Sequence, residues 1–276
     1  MYSSMQLFDL TGRTALIMGG AGKMGIEFAK TLLTAGADII ICDYFENDNK
    51  DLISKFNEKF SEKILALECD ASNKSQLERT FKKIEKFKGS LDILIYNVMS
   101  KPNGYFNDFE EYNESSWDKV LASNLKGAFL TTQQSIKLMK KTKNAGSIIL
   151  TSSTYGIVGP DQRLYEGLSA EDNIYGGGLA LSSPPAYAAS KSGLHGLMRY
   201  LASRYGRNRI RVNCLAPGGV YDQQETKFVD RYVEKTMLGR MANWSDYNGA
   251  ILFLSSDASK YMTGSVLIVD GGYTAW

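Results

Sequence analysis

One tyrosine–lysine pair has a spacing suited to proton transfer. Tyr187 and Lys191 are four residues apart, so on a helix they share one face and lie within reach of each other. Of the 16 tyrosines in the chain, only Tyr187 has a lysine at that spacing. An ammonium within about 4–6 Å favours the phenolate and lowers the pKa of the phenol. We therefore predict that Tyr187 exchanges a proton with the oxygen of an alcohol or a carbonyl compound.

A glycine-rich segment near the start of the chain has the spacing of a dinucleotide-binding turn. Gly20-x-Gly22-x-x-Gly25 follows a short apolar run and precedes an amphipathic stretch, and Gly19-x-x-Gly22-x-x-Gly25 overlaps it. Glycines at these positions let the backbone approach a pyrophosphate, and the helix that follows supplies N–H donors and the positive end of its dipole. The strand before the turn and the helix after it are the context that this motif requires.

An acidic residue at the end of the next apolar run favours NAD over NADP. Asp43 lies 23 positions after Gly20, close to the spacing of about 20 for the carboxylate that binds a ribose 2′-hydroxyl. A carboxylate there would repel a 2′-phosphate. Lys23, inside the glycine turn, is a cation that could offset this repulsion. A strand-end cap without a ligand is the alternative interpretation of Asp43.

Alternating strands and helices must position these residues. Short runs that are nearly continuous in Ile, Leu and Val predict strands buried on both faces at Thr14–Met18, Asp38–Asp43, Ile64–Glu68, Leu91–Tyr96, Ser147–Thr151, Ile210–Leu215 and Val266–Val269. The stretches between them predict helices at Met24–Ala35, Asp51–Phe60, Lys74–Phe87, Leu125–Lys141, Ala186–Tyr205 and Ser245–Ser255. The alternation predicts one α/β domain over residues 1–276, a Rossmann-like doubly wound fold with a seven-stranded parallel sheet.

A segment of 31 residues interrupts this alternation. Residues 154–184 are rich in Gly, Ser and Pro, and loops longer than about 12–15 residues are usually functional or disordered. Because the segment also contains several tyrosines and leucines, we predict an ordered active-site flap. Its polar side chains favour a hydroxylated or phosphorylated substrate, and Arg163 is the candidate contact for a phosphate or carboxylate. A lid or oligomer contact whose polar side chains face water is the alternative.

The composition argues against several other classes of protein. The 276 residues include 32 basic and 30 acidic ones, for a net charge of +2, without the clustered positive charge of nucleic-acid-binding proteins. No apolar run reaches the roughly 18 residues of a membrane span, and we expect no secretory signal. Cys42, Cys69 and Cys214 are far apart, which predicts reduced buried thiols in a cytoplasmic protein. The single histidine, His195, argues against a histidine-rich metal site, and we expect it to be structural.

Further short motifs occur along the full length of the chain. They are the Gly19–Gly25 turn, Asp70-Ala71, Asp92–Ile95, Asn124–Gly127, Ser152-Ser153, Tyr187-x-x-x-Lys191, Asn213–Gly219 and Val269–Gly272. On these motifs the chain resembles the short-chain dehydrogenase/reductase family, classical type. The stretch Tyr155–Gly167 is also similar to oxidoreductases of bacterial surface-sugar and flagellin-glycan biosynthesis.

The resemblance implies roles for individual residues. Tyr187 would be the acid/base, Lys191 would lower its pKa and bind the nicotinamide ribose, and Ser153, with Ser152 as the alternative, would hold the substrate oxygen. Asn124 would anchor a water in the proton relay. The adenine contact would be Asp70, and the nicotinamide would lie against Pro217 and Gly218. The residues implied for cofactor binding are Gly19, Gly22, Lys23, Met24, Gly25, Asp43, Asp70, Ala71, Asn97, Tyr187, Lys191, Pro217, Gly218 and Val220. Those implied for substrate binding are Ser153, Arg163 and Tyr187.

Some features depart from the family pattern. Tyr96-Asn97-Val98-Met99 stands where Asn-Asn-Ala-Gly is usual, which implies a bulkier wall beside the cofactor, and the G-x-x-G-x-x-G turn is typical of the extended subgroup. We predict an NAD(P)-dependent oxidoreductase acting on a small polar substrate, a sugar derivative in glycan biosynthesis. An NAD-using sugar epimerase or lyase and a non-catalytic nucleotide-sensing scaffold are the alternatives. The resemblance also implies a homodimer or homotetramer, built through the helices that contain Asn124 and Tyr187 and through the C-terminal segment.

Overall fold

A parallel sheet in the strand order β3-β2-β1-β4-β5-β6-β7 forms the centre of the protein. The computed structural model describes residues 4–44, 63–142 and 144–276. The strands are β1 (Thr14–Met18), β2 (Asp38–Asp43), β3 (Ile64–Glu68), β4 (Ile93–Tyr96), β5 (Gly146–Thr151), β6 (Ile210–Pro217) and β7 (Val266–Val269). The helices in the described ranges are α1 (Lys23–Thr34), α2 (Lys74–Lys88), α3 (Glu114–Leu121), α4 (Gly127–Met139), α5 (Pro185–Tyr205), α6 (Thr226–Glu234) and α7 (Asn248–Ser255).

The strand order reverses at β1. This strand pairs in parallel with β2 on one side, where Thr14 is opposite Asp38, and with β4 on the other, where Ala15 is opposite Ile93. In a doubly wound sheet, ligands bind outside the carboxyl ends of the strands at such a switch point. The fold therefore places the glycine turn after β1, and the residues that follow β4, at the expected binding edge.

Each face of the sheet has its own core. In β1, Leu16 and Met18 belong to the apolar cluster under α2, α4 and α5, whereas Ala15 and Ile17 belong to the cluster under α1 and α7. Side chains alternate between the faces of a strand, so a strand covered on both faces must be apolar at every position. This explains why the continuous runs of Ile, Leu and Val identified the strands.

The predicted sheet and fold class are confirmed, and the differences concern helices. The predicted helix at Leu125–Lys141 starts earlier in the structure, because α3 continues through a π-helical turn at Ala122–Lys126 into α4. Neither α3 nor α6 was predicted. They have eight and nine residues, too few for a clear helical period. The predicted helix at Asp51–Phe60 lies outside the described residues.

All three cysteines, Cys42, Cys69 and Cys214, are free and buried, as predicted. Within the described ranges, no helix combines the length and the apolar composition that crossing a membrane requires. The same ranges contain no group of three or more His, Cys, Asp or Glu side chains placed to hold a metal ion.

Candidate active site

A cavity of about 580 Å³ opens at the carboxyl edge of the sheet. Its volume lies in the range of small-molecule sites, about 300–1,000 Å³. Most of the residues predicted from the sequence to form the site line it, and they are Gly19, Gly22, Lys23, Met24, Asp43, Asn97, Ser153, Tyr187, Lys191, Pro217, Gly218 and Val220. Val98 and Met99 also line it, so bulky side chains stand where the family pattern has small ones.

Helix α5 carries the tyrosine–lysine pair. It begins with Pro185, whose fixed φ suits the first turn of a helix. The ammonium of Lys191 lies 5.6 Å from the centroid of the Tyr187 ring and donates a hydrogen bond to the carbonyl oxygen of Thr151 at 2.8 Å. The end of β5 thus holds Lys191 beside Tyr187, as the four-residue spacing predicted.

The predicted lowering of the pKa of Tyr187 by Lys191 is not found. Burial raises the pKa of Tyr187, and the hydrogen bond with Ser153 acts against that rise. Burial also lowers the pKa of Lys191, to about 8, because a charged ammonium is disfavoured away from water. The prediction considered the attraction between the two charges and left out the cost of removing both groups from water.

The two serines after β5 have different partners. The Oγ of Ser153 accepts a hydrogen bond from the backbone N–H of Tyr155 at 3.2 Å and interacts with Tyr187. Ser152 points the other way, since its Oγ donates to the carbonyl oxygen of Lys191 at 3.0 Å and lies 2.8 Å from Nε2 of His195. The geometry therefore favours Ser153 as the residue beside the reacting oxygen, and it gives Ser152 and His195 a structural contact.

Asn124 lies in the π-helical turn between α3 and α4 and is fully buried. Its Nδ2 donates to the Oγ of Ser190 at 3.0 Å, and its Oδ1 accepts from the backbone N–H of Ser100 at 3.3 Å. Turns of this kind are frequent at functional sites. Here the side chain ties α5 to the segment that follows β4, and its role in a water relay stays a prediction.

The glycines of the turn have separate roles. A side chain at Gly19, where φ is +78°, would place a Cβ 2.6 Å from the carbonyl oxygen of Asn97. At Gly22, the N-cap of α1, a Cβ would meet nothing within 4 Å, so this position is open towards the cavity. At Gly25 a Cβ would lie 2.6 Å from the oxygen of Gly19. Gly25 thus lets α1 pack against the turn and does not line the cavity, contrary to the prediction that it contacts the cofactor.

Asp43 and Lys23 flank the turn from opposite sides. The Oδ2 of Asp43 accepts a hydrogen bond from the backbone N–H of Ala21 at 2.8 Å, and burial raises the pKa of its carboxyl group. Lys23 reaches across the cavity mouth, where its ammonium lies 2.5 Å from a carboxylate oxygen of Asp222 and 5.6 Å from the ring of Trp244. The charge of Lys23 is therefore paired with Asp222 and not with Asp43.

Besides Asn124 and Gly25, three predicted site residues do not line the cavity. The carboxylate of Asp70 accepts hydrogen bonds from the backbone N–H and the hydroxyl of Ser72, and Ala71 is buried beside it. Arg163 bonds Asp161 through Nε at 2.8 Å and Nη2 at 2.7 Å, and its side chain is 75% exposed. The prediction for Arg163 is wrong on position, because the acidic residue two places earlier engages its guanidinium outside the cavity.

The flap closes one side of the cavity. Its side chains Leu164, Tyr165 and Leu168 pack with Phe228 and Tyr232 of α6. The residues 154–184 are thus ordered by apolar packing against a helix that the sequence analysis missed. The tyrosines and leucines of the segment indicated that it packs against the protein, but they did not indicate that α6 is the element it packs against.

Polar contacts join the flap to the same helix. The Nη1 of Arg231 donates to the carbonyl oxygens of Arg163, Leu164 and Glu166 at 3.2, 3.4 and 2.6 Å. The ammonium of Lys235 lies 2.5 Å from the carboxylate of Asp161. The flap and α6 therefore form one wall of the site.

Family models cover most of the chain. The model described as "short chain dehydrogenase" matches residues 13–165, and the one described as "Enoyl-(Acyl carrier protein) reductase" matches residues 173–274. The chain belongs to the short-chain dehydrogenase/reductase family. Members of this family are NAD(P)-dependent oxidoreductases that act on hydroxyl or carbonyl groups, and this protein is an enzyme of that type.

Several relatives match over nearly their whole length. The chain is 31% identical to sorbose reductase sou1 of Schizosaccharomyces pombe, over 97% of this chain and 98% of the relative. It is 28% identical to post-translational flagellin modification protein A of Campylobacter coli, over 96% and 99%. This second match agrees with the resemblance seen in the flap.

Solved structures of the family superimpose closely. A short-chain dehydrogenase from Leptospira borgpetersenii with bound NAD+ gives a TM-score of 0.81 at 29% identity, covering 99% of this chain and 96% of that one. A gluconate 5-dehydrogenase from Burkholderia cenocepacia, in complex with NADP and tartrate, gives 0.82 at 26% identity, covering 99% and 100%. The family cofactor is thus a nicotinamide dinucleotide, with examples of both forms among these neighbours.

Proposed function

We propose that this enzyme transfers a hydride between NAD(H) and a hydroxyl- or carbonyl-bearing carbon of a sugar derivative. The observation that carries the proposal is the placement of Tyr187, Lys191 and Ser153 in one cavity, directly beside the glycine turn. A proton donor and a dinucleotide-binding turn must face the same carbon for hydride and proton to be exchanged together.

The residues around the turn fit a dinucleotide. The open Cβ position of Gly22 and the start of α1 offer backbone N–H groups to a pyrophosphate, Asp43 offers a carboxylate to a ribose, and Pro217 and Gly218 offer backbone to the nicotinamide end. When bound, the nicotinamide supplies or accepts the hydride.

The chain's own groups handle the proton. In reduction, the hydroxyl of Tyr187 donates its proton to the substrate oxygen; in oxidation, the phenolate takes it back. Ser153 holds that oxygen through its hydroxyl, and Lys191 places a cation 5.6 Å from the centroid of the Tyr187 ring, where it would act on the negative charge that develops when the proton leaves. Because burial raises the pKa of Tyr187, the tyrosine keeps its proton at neutral pH, which favours its role as the acid in reduction.

The choice of a sugar derivative is supported by the cavity and by the relatives. Aromatic rings of Tyr155, Tyr165 and Phe228 and hydroxyls of Ser182 and Ser183 line the cavity, and such mixed walls suit the C–H faces and hydroxyls of a sugar. A sorbose reductase, a gluconate 5-dehydrogenase and a flagellin modification protein are among the relatives. The last supports a role in glycan biosynthesis.

The proposed preference for NAD rests on the charges beside the turn. Asp43 lines the cavity at the end of β2, where it would repel a 2′-phosphate. The cation that could offset this repulsion, Lys23, is paired with Asp222. The competing functions gain no such support: a nucleotide-sensing scaffold has no need of Ser153, Tyr187 and Lys191 in contact, and the matching family models are those of a dehydrogenase and a reductase.

We further propose a cytoplasmic homodimer or homotetramer. A second groove between α3, the π-helical turn and α5 is lined by apolar residues that include Leu121, Leu125 and Leu197, and Phe129 beside them is 44% exposed. A second copy of the chain would bury this surface. The three free cysteines are compatible with a reducing compartment.

Replacing Tyr187 by Phe tests the reaction. We expect kcat to fall by roughly 10²–10⁴-fold, the usual contribution of an acid–base residue, while the Kd for NADH changes less than about threefold, because the ring remains. The assay follows NADH absorbance over sugar phosphates, amino sugars, nucleotide sugars and polyols. Tyr200→Phe is the matched control, since Tyr200 is on the same helix and 66% exposed. Full activity of the Tyr187→Phe variant would refute the assignment, and turnover without net NADH change would indicate an epimerase or lyase.

A further inference from the structure

Three lysines line the cavity in the described part of the chain, and their ammonium groups have different partners. Lys23 pairs with Asp222, and Lys191 donates to the carbonyl oxygen of Thr151. Lys101 forms no ion pair and no hydrogen bond with any residue in the described ranges. It is therefore the one of the three whose donors are available to a ligand.

The ammonium of Lys101 lies above an aromatic ring of the flap. Its Nζ is 3.3 Å from the centroid of Tyr175, a distance at which cation–π attraction holds it in place. Tyr175 is in turn fixed by stacking against Phe106, with 6.4 Å between ring centroids, and by a hydrogen bond that its hydroxyl accepts from Gln224 at 3.2 Å. The ammonium of Lys101 is thus positioned by the ring of Tyr175, which is itself held by Phe106 and Gln224.

Lys101 lines the same cavity as Tyr187. Tyr175, against which its ammonium lies, is close enough to Tyr187 to affect the pKa of that residue. The other side chains that contact Tyr175 are Phe106, after β4, and Gln224, before α6. The glycine turn and Asp43, which fit the dinucleotide, are at the ends of β1 and β2.

Lys101 keeps its positive charge near neutral pH. Partial burial of its ammonium lowers the pKa to about 8, and the nearby charge of Asp222 opposes the shift. The group is therefore mostly protonated at pH 7. Because it lines the cavity without an ion-pair partner in the described residues, its charge is available to an anion that enters there.

We propose that Lys101 binds an anionic group of the substrate, a carboxylate or a phosphate, while the carbon that reacts lies at Tyr187. The inference rests on the proposed function, since it names the charge class of that same substrate. It assigns to Lys101 the anion contact that the sequence analysis had placed at Arg163. The substrate is then a hydroxylated compound with an acidic end, held between Lys101 and the Ser153–Tyr187 pair.

Three six-carbon compounds test this assignment: sorbitol, which is neutral, gluconate, which carries a carboxylate, and sorbitol 6-phosphate. Their Kd values are measured by calorimetry on the full chain saturated with NADH, so that no oxidised cofactor is present and no turnover intervenes. We expect at least one anionic compound to bind on the order of tenfold or more tightly than sorbitol, the effect of one charge-assisted contact. The difference between gluconate and sorbitol 6-phosphate identifies which anion the site takes.

Variants at the same position complete the test. Lys101→Met and Lys101→Gln should remove the advantage of the anionic compound and change the Kd for sorbitol less than twofold, whereas Lys101→Arg should keep most of it. The matched control is Lys260→Met, because Lys260 is exposed and lies after α7, near the amino edge of the sheet.

Two results would overturn the proposal: neither anion binds more tightly than sorbitol, or the advantage persists in Lys101→Met. Failure of the proposed function would give different results: the protein would not bind NADH, or its activity would not depend on Tyr187. The anion measurement would then be repeated on the chain without NADH, since the contacts that position Lys101 involve only the protein.

Discussion

Two side chains of the candidate site are held by groups from distant parts of the sequence. Lys191 is anchored by the carbonyl of Thr151, and Asn124 by Ser100 and Ser190. Both sets of contacts are made within the protein itself, so these side chains are positioned before a substrate binds. Such preorganisation favours the acid–base role proposed for Tyr187.

Asp43 allows a separate test of cofactor preference at this scale. In Asp43→Asn the side-chain oxygen still accepts the hydrogen bond from Ala21, but the negative charge is gone. We expect kcat/KM with NADP to rise and kcat/KM with NAD to fall, shifting the preference by roughly tenfold or more, because the repulsion of a 2′-phosphate and the charged contact to the ribose are lost together.

The comparison uses initial rates with both cofactors for the wild type, Asp43→Asn and Asp230→Asn. Asp230 is an exposed carboxylate on α6, so removing it changes the net charge equally without touching the glycine turn. An unchanged ratio of NAD to NADP in Asp43→Asn would show that this carboxylate does not select the cofactor.

At the scale of elements, the flap depends on α6. The two are joined by the aromatic cluster of Tyr165, Phe228 and Tyr232 and by the guanidinium of Arg231, which donates to three flap carbonyls. Helix α6 has only nine residues, and the helical turns of the flap have three residues each, so neither element would keep this conformation alone. Together they form the wall that faces Tyr187.

Arg231→Ala should loosen this wall selectively. We expect amide hydrogen exchange in residues 163–168 to speed up by on the order of tenfold, since charge-assisted hydrogen bonds to the flap are lost. The KM for the substrate should rise more than kcat falls, while the midpoint of thermal unfolding of the sheet changes little.

Lys227→Ala serves as the comparison, because Lys227 is on the same helix and, within the described ranges, its one ion pair is with Glu225, at 4.0 Å. Equal exchange rates in Arg231→Ala and wild type would mean that the aromatic cluster alone holds the flap.

At the scale of the whole molecule, helices cover both faces of the sheet. The apolar side chains that remain exposed on the surface indicate where another chain could bind. Single exposed apolar side chains are normal on a protein surface. Phe129 is different, because it lies beside the groove formed by Leu121, Leu125 and Leu197. A contiguous apolar groove of this kind is typical of a surface that another chain covers.

Phe129→Glu should therefore shift the protein towards the monomer. A carboxylate in this groove would have to leave water when a second copy covers it, which disfavours the contact. The mass is measured by light scattering after gel filtration, at micromolar concentration. Phe109→Glu introduces the same charge at a side chain that is 75% exposed and outside the groove. If both variants keep the wild-type mass, the proposed interface is wrong.

Much of the fold and of the candidate site could be predicted from short-range patterns in the sequence. The strands were identified from continuous apolar runs, and the Tyr187–Lys191 pair and the glycine turn from spacings of a few residues, because helix and strand geometry relates neighbours in the chain directly to neighbours in space. The single-sheet fold followed from the alternation of these elements.

The predictions that differ from the structure, on the pKa of Tyr187 and on the position of Arg163, have a common physical origin. The pKa of Tyr187 depends on burial, and the availability of Lys23, Lys101 and Arg163 depends on which carboxylates lie nearby. These are properties of the packed chain, in which Lys23 meets Asp222 across the cavity mouth and Arg163 is engaged by Asp161.

The sequence by itself therefore determined the family and the fold and located the candidate residues for proton transfer, since these are written in short-range patterns. Only the tertiary structure decided which cavity lysine lies against Tyr175 without an ion pair in the described residues, which serine faces Tyr187 and what packs against the flap. Desolvation and charge pairing act over distances in space, and the residues that set them, such as Lys101 and Tyr175, are brought together only when the chain is folded.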